Sequence, residues 1–168
     1  MRRFRAGRQG CAAVSGDIVS AVTLAFGATS GAPLRLDEPL SFWGGLDPTT
    51  GLIIDRHHPQ QGENVAGRVL MMPAGRGSSS GSASLAEAIR LGVGPAAILM
   101  LQRDPIVIVG AMVAAELYGR ECPVLLASAE DWDRLTRAAR LTVEARPAVA
   151  TIGIESAARP FSPPTGRK

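Results

Sequence analysis

The chain has 168 residues, enough for one compact domain and too few for two ordinary ones. Apolar residues make up 46% of it and charged residues 20%, proportions that are typical of a folded globular protein and exclude a disordered or fibrous chain. The net charge of +3 comes mainly from arginines near the two ends, and aromatic residues make up only 4%. Nucleic-acid binders usually carry a basic stripe with interleaved aromatic residues, so we expect no nucleic-acid partner.

The number of cysteines and the hydropathy of the chain limit which binding sites and which cellular locations are possible. Cys11 and Cys122 are far apart and have no histidine or carboxylate cluster near them in sequence, so neither a disulfide framework nor a metal site is predicted. No segment reaches the roughly 18 uninterrupted apolar residues of a membrane span, and we expect no membrane association. The arginine-rich start faintly resembles a secretory signal, but Asp17 breaks the apolar stretch that would follow. We expect a cytoplasmic protein in which residues 1–16 are a loose arm.

The first half of the chain predicts short strands separated by loops. Between residues 18 and 40, apolar residues alternate weakly with small or polar ones, and glycines and a proline interrupt the pattern, which predicts two short strands. Residues 41–51 contain a Gly-Gly pair, Asp-Pro and Thr-Gly, which are turn signals, so a loop is predicted there. A brief strand over residues 52–54, a polar loop over 55–64 and an apolar strand over 65–72 are predicted to follow.

The second half predicts alternating helices and strands. Leu85, Ala88 and Ile89 lie on one helical face and glycines follow them, which predicts a helix over residues 83–91. Further helices are predicted over 109–117 and 130–138, with Asp104 as a helix N-cap. Buried strands are predicted over 96–101 and 123–126, and a hairpin over 141–144 and 148–154. This order predicts an α/β domain over residues 17–154 with a barrel-like β portion, followed by a disordered tail over 155–168.

Residues 75–82, Gly-Arg-Gly-Ser-Ser-Ser-Gly-Ser, form a serine loop between a predicted strand and a predicted helix. The unpaired N–H groups at the start of a helix, together with the helix dipole, favour an anion, and glycines let the backbone approach it closely. Arg76 can add a planar bidentate grip, and the serine hydroxyls can donate to bound oxygen atoms. The serine loop is therefore predicted to bind a carboxylate or a phosphate.

Other interpretations of the serine loop fit less well. It lacks the Gly-Lys-Ser/Thr end of a phosphate-binding P-loop. Residues 77–81 match Gly-x-Ser-x-Gly with Ser79 at the centre, but a hydrolase would need a histidine after the serine, and both histidines precede it. A flexible linker or a simple helix cap is the remaining alternative. The position of the loop between a strand and a helix of one core favours a functional loop.

Several residues outside the serine loop are candidates with two interpretations each. His58, three residues after Asp55, is predicted either to orient substrate or brace the serine loop, or simply to cap a turn. Asp47 in its glycine-rich turn is predicted to be structural. Phe42 and Trp43 are predicted either to contact a partner from an exposed loop or to lie in the core.

Five segments in the same order resemble the small swivelling domain of the aconitase X dehydratases. They are Ser-Phe-Trp-Gly-Gly-Leu-Asp-Pro-Thr-Thr-Gly at 41–51, Ile-Asp-Arg-His-His-Pro at 54–59, Gly-Arg-Val-Leu at 67–70, Pro-Ala-Gly-Arg-Gly-Ser at 73–78 and Ala-Ala-Ile at 96–98. The resemblance covers roughly residues 27 to 126, and several motifs together are more specific than any one of them. The chain departs from the family pattern before Gly27, where its N-terminal segment is longer and less regular.

The resemblance implies a swivelling β/β/α domain like the mobile domain of aconitases. It implies a small subunit or domain that closes on a large one, which carries the iron or iron-sulfur cluster, so that this chain binds no cofactor itself. It implies Ser78 as proton acceptor. The anion-binding chemistry of the serine loop adds Arg76, Gly77, Ser79 and Ser80 as candidate substrate-binding residues, and His58 joins them under its functional interpretation.

The substrate implied by the resemblance is a hydroxy acid. Bacterial members typically dehydrate cis-3-hydroxy-L-proline and archaeal members phosphomevalonate. The Arg- and Ala-rich composition, Phe42-Trp43 and residues 55–59 favour the bacterial type. Phosphomevalonate remains the alternative substrate, and a non-catalytic module that uses the same loop to bind a small anion is the alternative function.

Overall fold

The computed structural model describes residues 17–147 and 149–156. The predicted arm over residues 1–16 and nearly all of the predicted tail lie outside the described residues. Glu155, the first residue of that predicted tail, is the last residue of a strand. Among the described residues no helix combines the length and the apolar character needed to span a bilayer.

Eight strands in the described residues form one curved sheet. They are β1 (Asp17–Ala25), β2 (Gly27–Gly31), β3 (Pro33–Arg35), β4 (Val69–Met72), β5 (Ala97–Met100), β6 (Val124–Leu126), β7 (Arg140–Ala145) and β8 (Ala150–Glu155). Their spatial order is β2-β7-β8-β1-β6-β5-β4-β3. Strands β3, β4, β5 and β6 are parallel, and the remaining pairs are antiparallel.

The two end strands of this order, β2 and β3, are consecutive in the chain and are joined by Ala32 alone. The sheet must therefore curl until its ends meet. Arg68 fastens this seam, because its guanidinium donates to the carbonyl oxygens of Ala32 at 3.3 Å and Pro33 at 2.9 Å. The predicted α/β fold with a barrel-like β portion is confirmed, but the segment predicted as two strands before residue 40 forms three.

Four helices in the part of the chain that the structure describes cover the sheet: α1 (Phe42–Gly45), α2 (Ser80–Arg90), α3 (Pro105–Tyr118) and α4 (Ala129–Thr136). The α1 segment is only a short turn with non-helical φ and ψ inside it. The α3 helix starts four residues before its predicted start, directly after Asp104, and ends at Gly119 with φ 62°. A proline in the first turn and a glycine in the left-handed conformation at the end are favourable helix boundaries.

Strand β4 separates two cores. Leu70 and Met72 face one core with residues of α2 and α3, whereas Val69 and Met71 face the barrel interior with residues of β7 and β8. Burial on both faces explains why β4 and β5 are continuous apolar runs, as in covered parallel sheets. The apolar strand predicted over 65–72 is shorter than expected, and of the strand predicted over 52–54 only residues 52 and 53 form isolated bridges.

The parallel strands β4, β5 and β6 end at the same edge of the sheet. The segments that follow them, residues 73–79, 101–104 and 127–128, therefore lie along one edge. Open parallel sheets usually bind ligands outside the carboxyl ends of their strands. The fold places the serine loop at such an edge.

Candidate functional site

The serine loop follows the carboxyl end of β4 and leads directly into α2. That helix begins at Ser80, three residues before the predicted start, so Ser80 is its first residue and Ser79 its N-cap. Ser78 lies just before the helix, and its carbonyl oxygen accepts a hydrogen bond from the N–H of Gly81 at 2.9 Å. All three serines are exposed. Ser78 therefore stands at the positive end of the α2 dipole, where the first N–H groups lack intrahelical partners.

Two glycines let the serine loop pass between side chains of distant segments. Gly77 has φ 112°, a left-handed conformation that favours glycine, and a Cβ there would lie 2.5 Å from Ser41 Oγ. A Cβ on Gly75 would overlap Asp104 Oδ2. Asp104 is the N-cap of α3, as predicted, since its Oδ1 accepts a hydrogen bond from the N–H of Ile106 at 2.7 Å. The loop is thus confined between Ser41 and Asp104, which the sequence pattern did not place beside it.

Arg76 is held by an ion pair that the sequence did not predict. Its Nη2 donates to Asp55 Oδ2 at 2.8 Å, although the two residues are 21 positions apart in the chain. The other carboxylate oxygen of Asp55 accepts the backbone N–H of His57 at 3.0 Å. That hydrogen bond, together with the positive charge of Arg76, lowers the pKa of Asp55 below its ordinary value. Asp55 is therefore ionised at neutral pH and offsets the charge of Arg76.

His58 lies apart from the exposed serines, with only 4% of its surface exposed. Its Nδ1 accepts the backbone N–H of Gln60 at 3.1 Å, which assigns the ring proton to Nε2. Nε2 then donates to the carbonyl oxygen of Glu38 at 3.2 Å. Because both ring nitrogens bond the backbone, the structure favours the turn-capping interpretation of His58. Its contact with substrate stays a prediction.

Trp43, Leu52 and Ile54 are exposed apolar side chains within residues 43–54 and are together called the apolar rim. Trp43 is 62% exposed, whereas its neighbour Phe42 is buried in the core. Core burial is therefore confirmed for Phe42, and partner contact by Trp43 stays a prediction. The backbone nitrogen of Trp43 lies 3.8 Å from where a Cβ on Gly81 would be, which places Trp43 beside the start of α2. Exposed apolar side chains near a site are typical of a surface that another chain or domain covers.

The described part of the chain contains no group of three or more His, Cys, Asp or Glu side chains placed to hold a metal ion. Cys122 is fully buried, its thiol donates to the carbonyl oxygen of Pro95 at 3.4 Å, and burial raises its pKa to about 12. A protonated buried thiol is a poor metal ligand. Beside the carboxylates of Asp55 and Asp104, the described residues at the serine loop offer hydroxyls, backbone N–H groups and a guanidinium, which suit an oxygen-rich anion, and they include no ligand set for a Lewis acid.

The fold and these residues define an α/β domain that presents a serine- and glycine-rich loop and an arginine at the start of a helix. A model of the aconitase X swivel domain matches residues 18–152. The chain belongs to the aconitase X swivel-domain family, as its sequence motifs predict.

Relatives and a solved structure agree with this assignment. The cis-3-hydroxy-L-proline dehydratase of Pseudomonas aeruginosa is 44% identical over 142 residues, which cover 76% of this chain and 24% of that protein. The phosphomevalonate dehydratase small subunit of Methanothermobacter thermautotrophicus is 43% identical over 88 residues, covering 52% of this chain and 67% of that one. The holo-form of Thermococcus kodakaraensis aconitase X superposes with a TM-score of 0.68 at 25% identity, covering 83% of this chain and 98% of that chain. The chain spans about a quarter of the length of the hydroxyproline dehydratase that it resembles.

Proposed function

We propose that this chain is the small swivelling part of a cytoplasmic dehydratase that removes water from cis-3-hydroxy-L-proline. A large partner part, as a separate subunit or as a further domain, completes the site and carries the metal. Residues 17–154 form the swivelling domain, flanked by an arm and a tail. The observation that carries the proposal is the serine loop at the start of α2, beside Arg76, in a chain of the aconitase X swivel-domain family.

The proposed reaction needs a base for the α-proton of the hydroxy acid and assistance for its departing β-hydroxyl. Ser78 accepts the proton. A serine is a poor base at its ordinary pKa, so its deprotonated form needs stabilisation by the N–H groups at the start of α2 and by Arg76. Gly77, Ser79 and Ser80 bind the substrate carboxylate through backbone and hydroxyl donors. His58 contributes from its buried position by bracing the turn that carries Asp55, the partner of Arg76 in the serine loop.

Departure of the hydroxyl is assigned to the partner part, because the described residues of this chain do not fit a metal. The group expected there is iron or an iron-sulfur cluster. The choice of hydroxyproline over phosphomevalonate is supported by the identity of 44% over 142 residues with a hydroxyproline dehydratase, against 43% over 88 and 35% over 121 residues for two phosphomevalonate dehydratase small subunits. It is also supported by residues 55–59 and Phe42-Trp43.

The test is reconstitution of this chain with its large partner. We expect co-expression to yield a stable iron-containing complex that dehydrates cis-3-hydroxy-L-proline. Loss of the α-proton and the β-hydroxyl gives a cyclic enamine that tautomerises to the cyclic imine, and the assay measures loss of substrate and formation of the imine. Phosphomevalonate is assayed in parallel, and turnover of it alone would replace the proposed substrate. A complex that binds the hydroxy acid without turnover would instead identify a non-catalytic anion-binding module.

A further inference from the structure

We propose that Asp55 determines the charge selectivity of the site: by pairing with Arg76 it leaves the serine loop suited to a single carboxylate and unsuited to a doubly charged anion. The inference rests on the proposed function, in which Arg76 contacts the substrate. It identifies Asp55 as a positioning and specificity-determining residue, and it favours a zwitterionic amino acid as the substrate class over a phosphorylated one.

Asp55 is fixed before any ligand arrives. Its backbone N–H donates to the carbonyl oxygen of Gly45 at 3.3 Å, and its own carbonyl oxygen accepts the N–H of His58 at 3.2 Å. The side chain is 19% exposed and is anchored by the N–H of His57. The backbone turn that carries Asp55 is itself stabilised by the buried ring of His58, which bonds the backbone through both nitrogens. The carboxylate of Asp55 is therefore held in one position, where it can fix the guanidinium of Arg76.

Arg76, in contrast, is a long side chain that is 49% exposed. A guanidinium has five N–H donors, and the hydrogen bond to Asp55 uses one of them. Ordering a long side chain in advance reduces the conformational entropy that ligand binding would otherwise cost. Asp55 thus holds the guanidinium in place while leaving most of its donors for a ligand.

The same pair cancels a charge. The ionised carboxylate of Asp55 lies 2.8 Å from the arginine, so the two side chains together contribute no net charge to the serine loop. Asp104 places a second carboxylate against Gly75 on the other side of that loop. A proline derivative with one carboxylate and one ammonium group is neutral overall and meets no net repulsion there. A phosphate or sulfate brings two negative charges, but the positive charge of Arg76 that would attract them is already neutralised by Asp55.

The first experiment needs no turnover. The full chain and its Asp55→Asn variant are titrated with sulfate, which stays doubly charged, and with acetate, and binding is followed by amide chemical shifts of the serine loop. Asn keeps the shape of Asp55 and an oxygen for the N–H of His57, so the fold is preserved. We expect Asp55→Asn to tighten sulfate binding about fivefold and to change acetate binding far less.

The matched control is Glu87→Gln, which removes one negative charge and frees Arg90 from its 2.6 Å ion pair near the far end of α2. It should leave sulfate binding at the serine loop unchanged. Equal tightening of sulfate binding in both variants would assign the effect to net charge and overturn the inference. The inference would also be overturned if Asp55→Asn weakened sulfate binding or left it unchanged. The same holds if none of the three proteins bound sulfate at the serine loop.

The second experiment uses the reconstituted enzyme. We expect Asp55→Asn to raise KM for cis-3-hydroxy-L-proline about threefold to fivefold through looser positioning of Arg76, and to lower the inhibition constant of sulfate. A merely structural defect would weaken both ligands, so opposite signs distinguish the two roles. In an Arg76→Gln background the Asp55→Asn change should have no further effect. If the wild-type complex turned over neither substrate, the proposed function would fail, while the sulfate titration would still decide on Asp55.

Discussion

The carboxylate of Asp104 occupies the space that a side chain at position 75 would need, since a Cβ built on Gly75 overlaps Asp104 Oδ2. The same carboxylate caps α3 through its other oxygen. One aspartate therefore joins the start of a helix to the start of the serine loop. Any residue larger than glycine at position 75 must displace either the cap or the loop.

Gly75→Ala is accordingly expected to destabilise the protein. We expect a loss of about 1–3 kcal/mol in the free energy of unfolding, as for overpacking of a close contact. Urea unfolding measures it, with Gly153→Ala as control, because a Cβ at Gly153 would meet its nearest neighbour only at 3.6 Å. Equal stability of Gly75→Ala and the wild type would show that Asp104 moves away at no cost.

Ser78→Ala tests the proposed proton acceptor. Loss of a positioned base should lower kcat of the reconstituted enzyme by about 1,000-fold. Ser79→Ala removes the neighbouring hydroxyl and serves as the matched control, for which we expect a higher KM with kcat nearly unchanged. Steady-state kinetics with hydroxyproline separate the two. An unchanged kcat in Ser78→Ala would rule out its catalytic role.

His58→Ala distinguishes a turn cap from a substrate contact. Removal of the ring leaves the N–H of Gln60 and the carbonyl oxygen of Glu38 without their partners, which should cost about 2 kcal/mol of stability. If His58 only caps the turn, kcat and KM at a temperature where the variant is folded stay near the wild-type values. Thermal unfolding and kinetics are measured on the same preparation. A large rise in KM without destabilisation would establish the substrate contact instead.

Trp43→Ala tests the apolar rim as the surface that meets the large partner. A large exposed aromatic side chain at an interface centre contributes about 2 kcal/mol, so the dissociation constant of the complex should rise about 30-fold. Leu117→Ala is the control, since Leu117 is 68% exposed near the end of α3, away from the serine loop. Titration calorimetry measures both. Equal affinity of Trp43→Ala and the wild type would remove the rim from the interface.

The buried thiol of Cys122 should make the stability of the protein depend on pH in the alkaline range. Burial raises its pKa to about 12, whereas in the unfolded chain the pKa returns to about 8.5. The unfolded state therefore releases this proton first, so the contribution to stability is complete below about pH 8.5 and is lost as pH rises toward 12. The free energy of unfolding should fall by up to about 1.4 kcal/mol per pH unit more in the wild type than in Cys122→Ala. Parallel slopes in urea unfolding between about pH 8 and pH 10 would contradict this.

Local signals in the sequence predicted which helices and strands are present better than they predicted where each one begins and ends. The α3 cap at Asp104 follows from a side chain that bonds the next backbone N–H groups, so it is legible in sequence. The start of α2 cannot be read from the sequence in the same way, because Ser80 and Ser82 are polar and do not continue the apolar periodicity of the helix. That start coincides with a tertiary contact: a Cβ on Gly81 would touch Ile106 at 3.4 Å and Phe42 at 3.8 Å. Helix ends that depend on packing are set by residues distant in the chain.

The sequence alone determined that a glycine- and serine-rich segment connects a buried strand to a helix, since turn chemistry and burial patterns act over a few residues. The structure assigns residues 80–82 of that segment to the first turn of α2. The motifs also determined the family. Only the tertiary structure decided that Asp55 pairs with Arg76, that His58 is buried with both nitrogens bonded, and that Ser41 and Asp104 enclose the loop. These contacts join segments far apart in the chain, and they arise because the barrel closes and aligns the ends of its parallel strands.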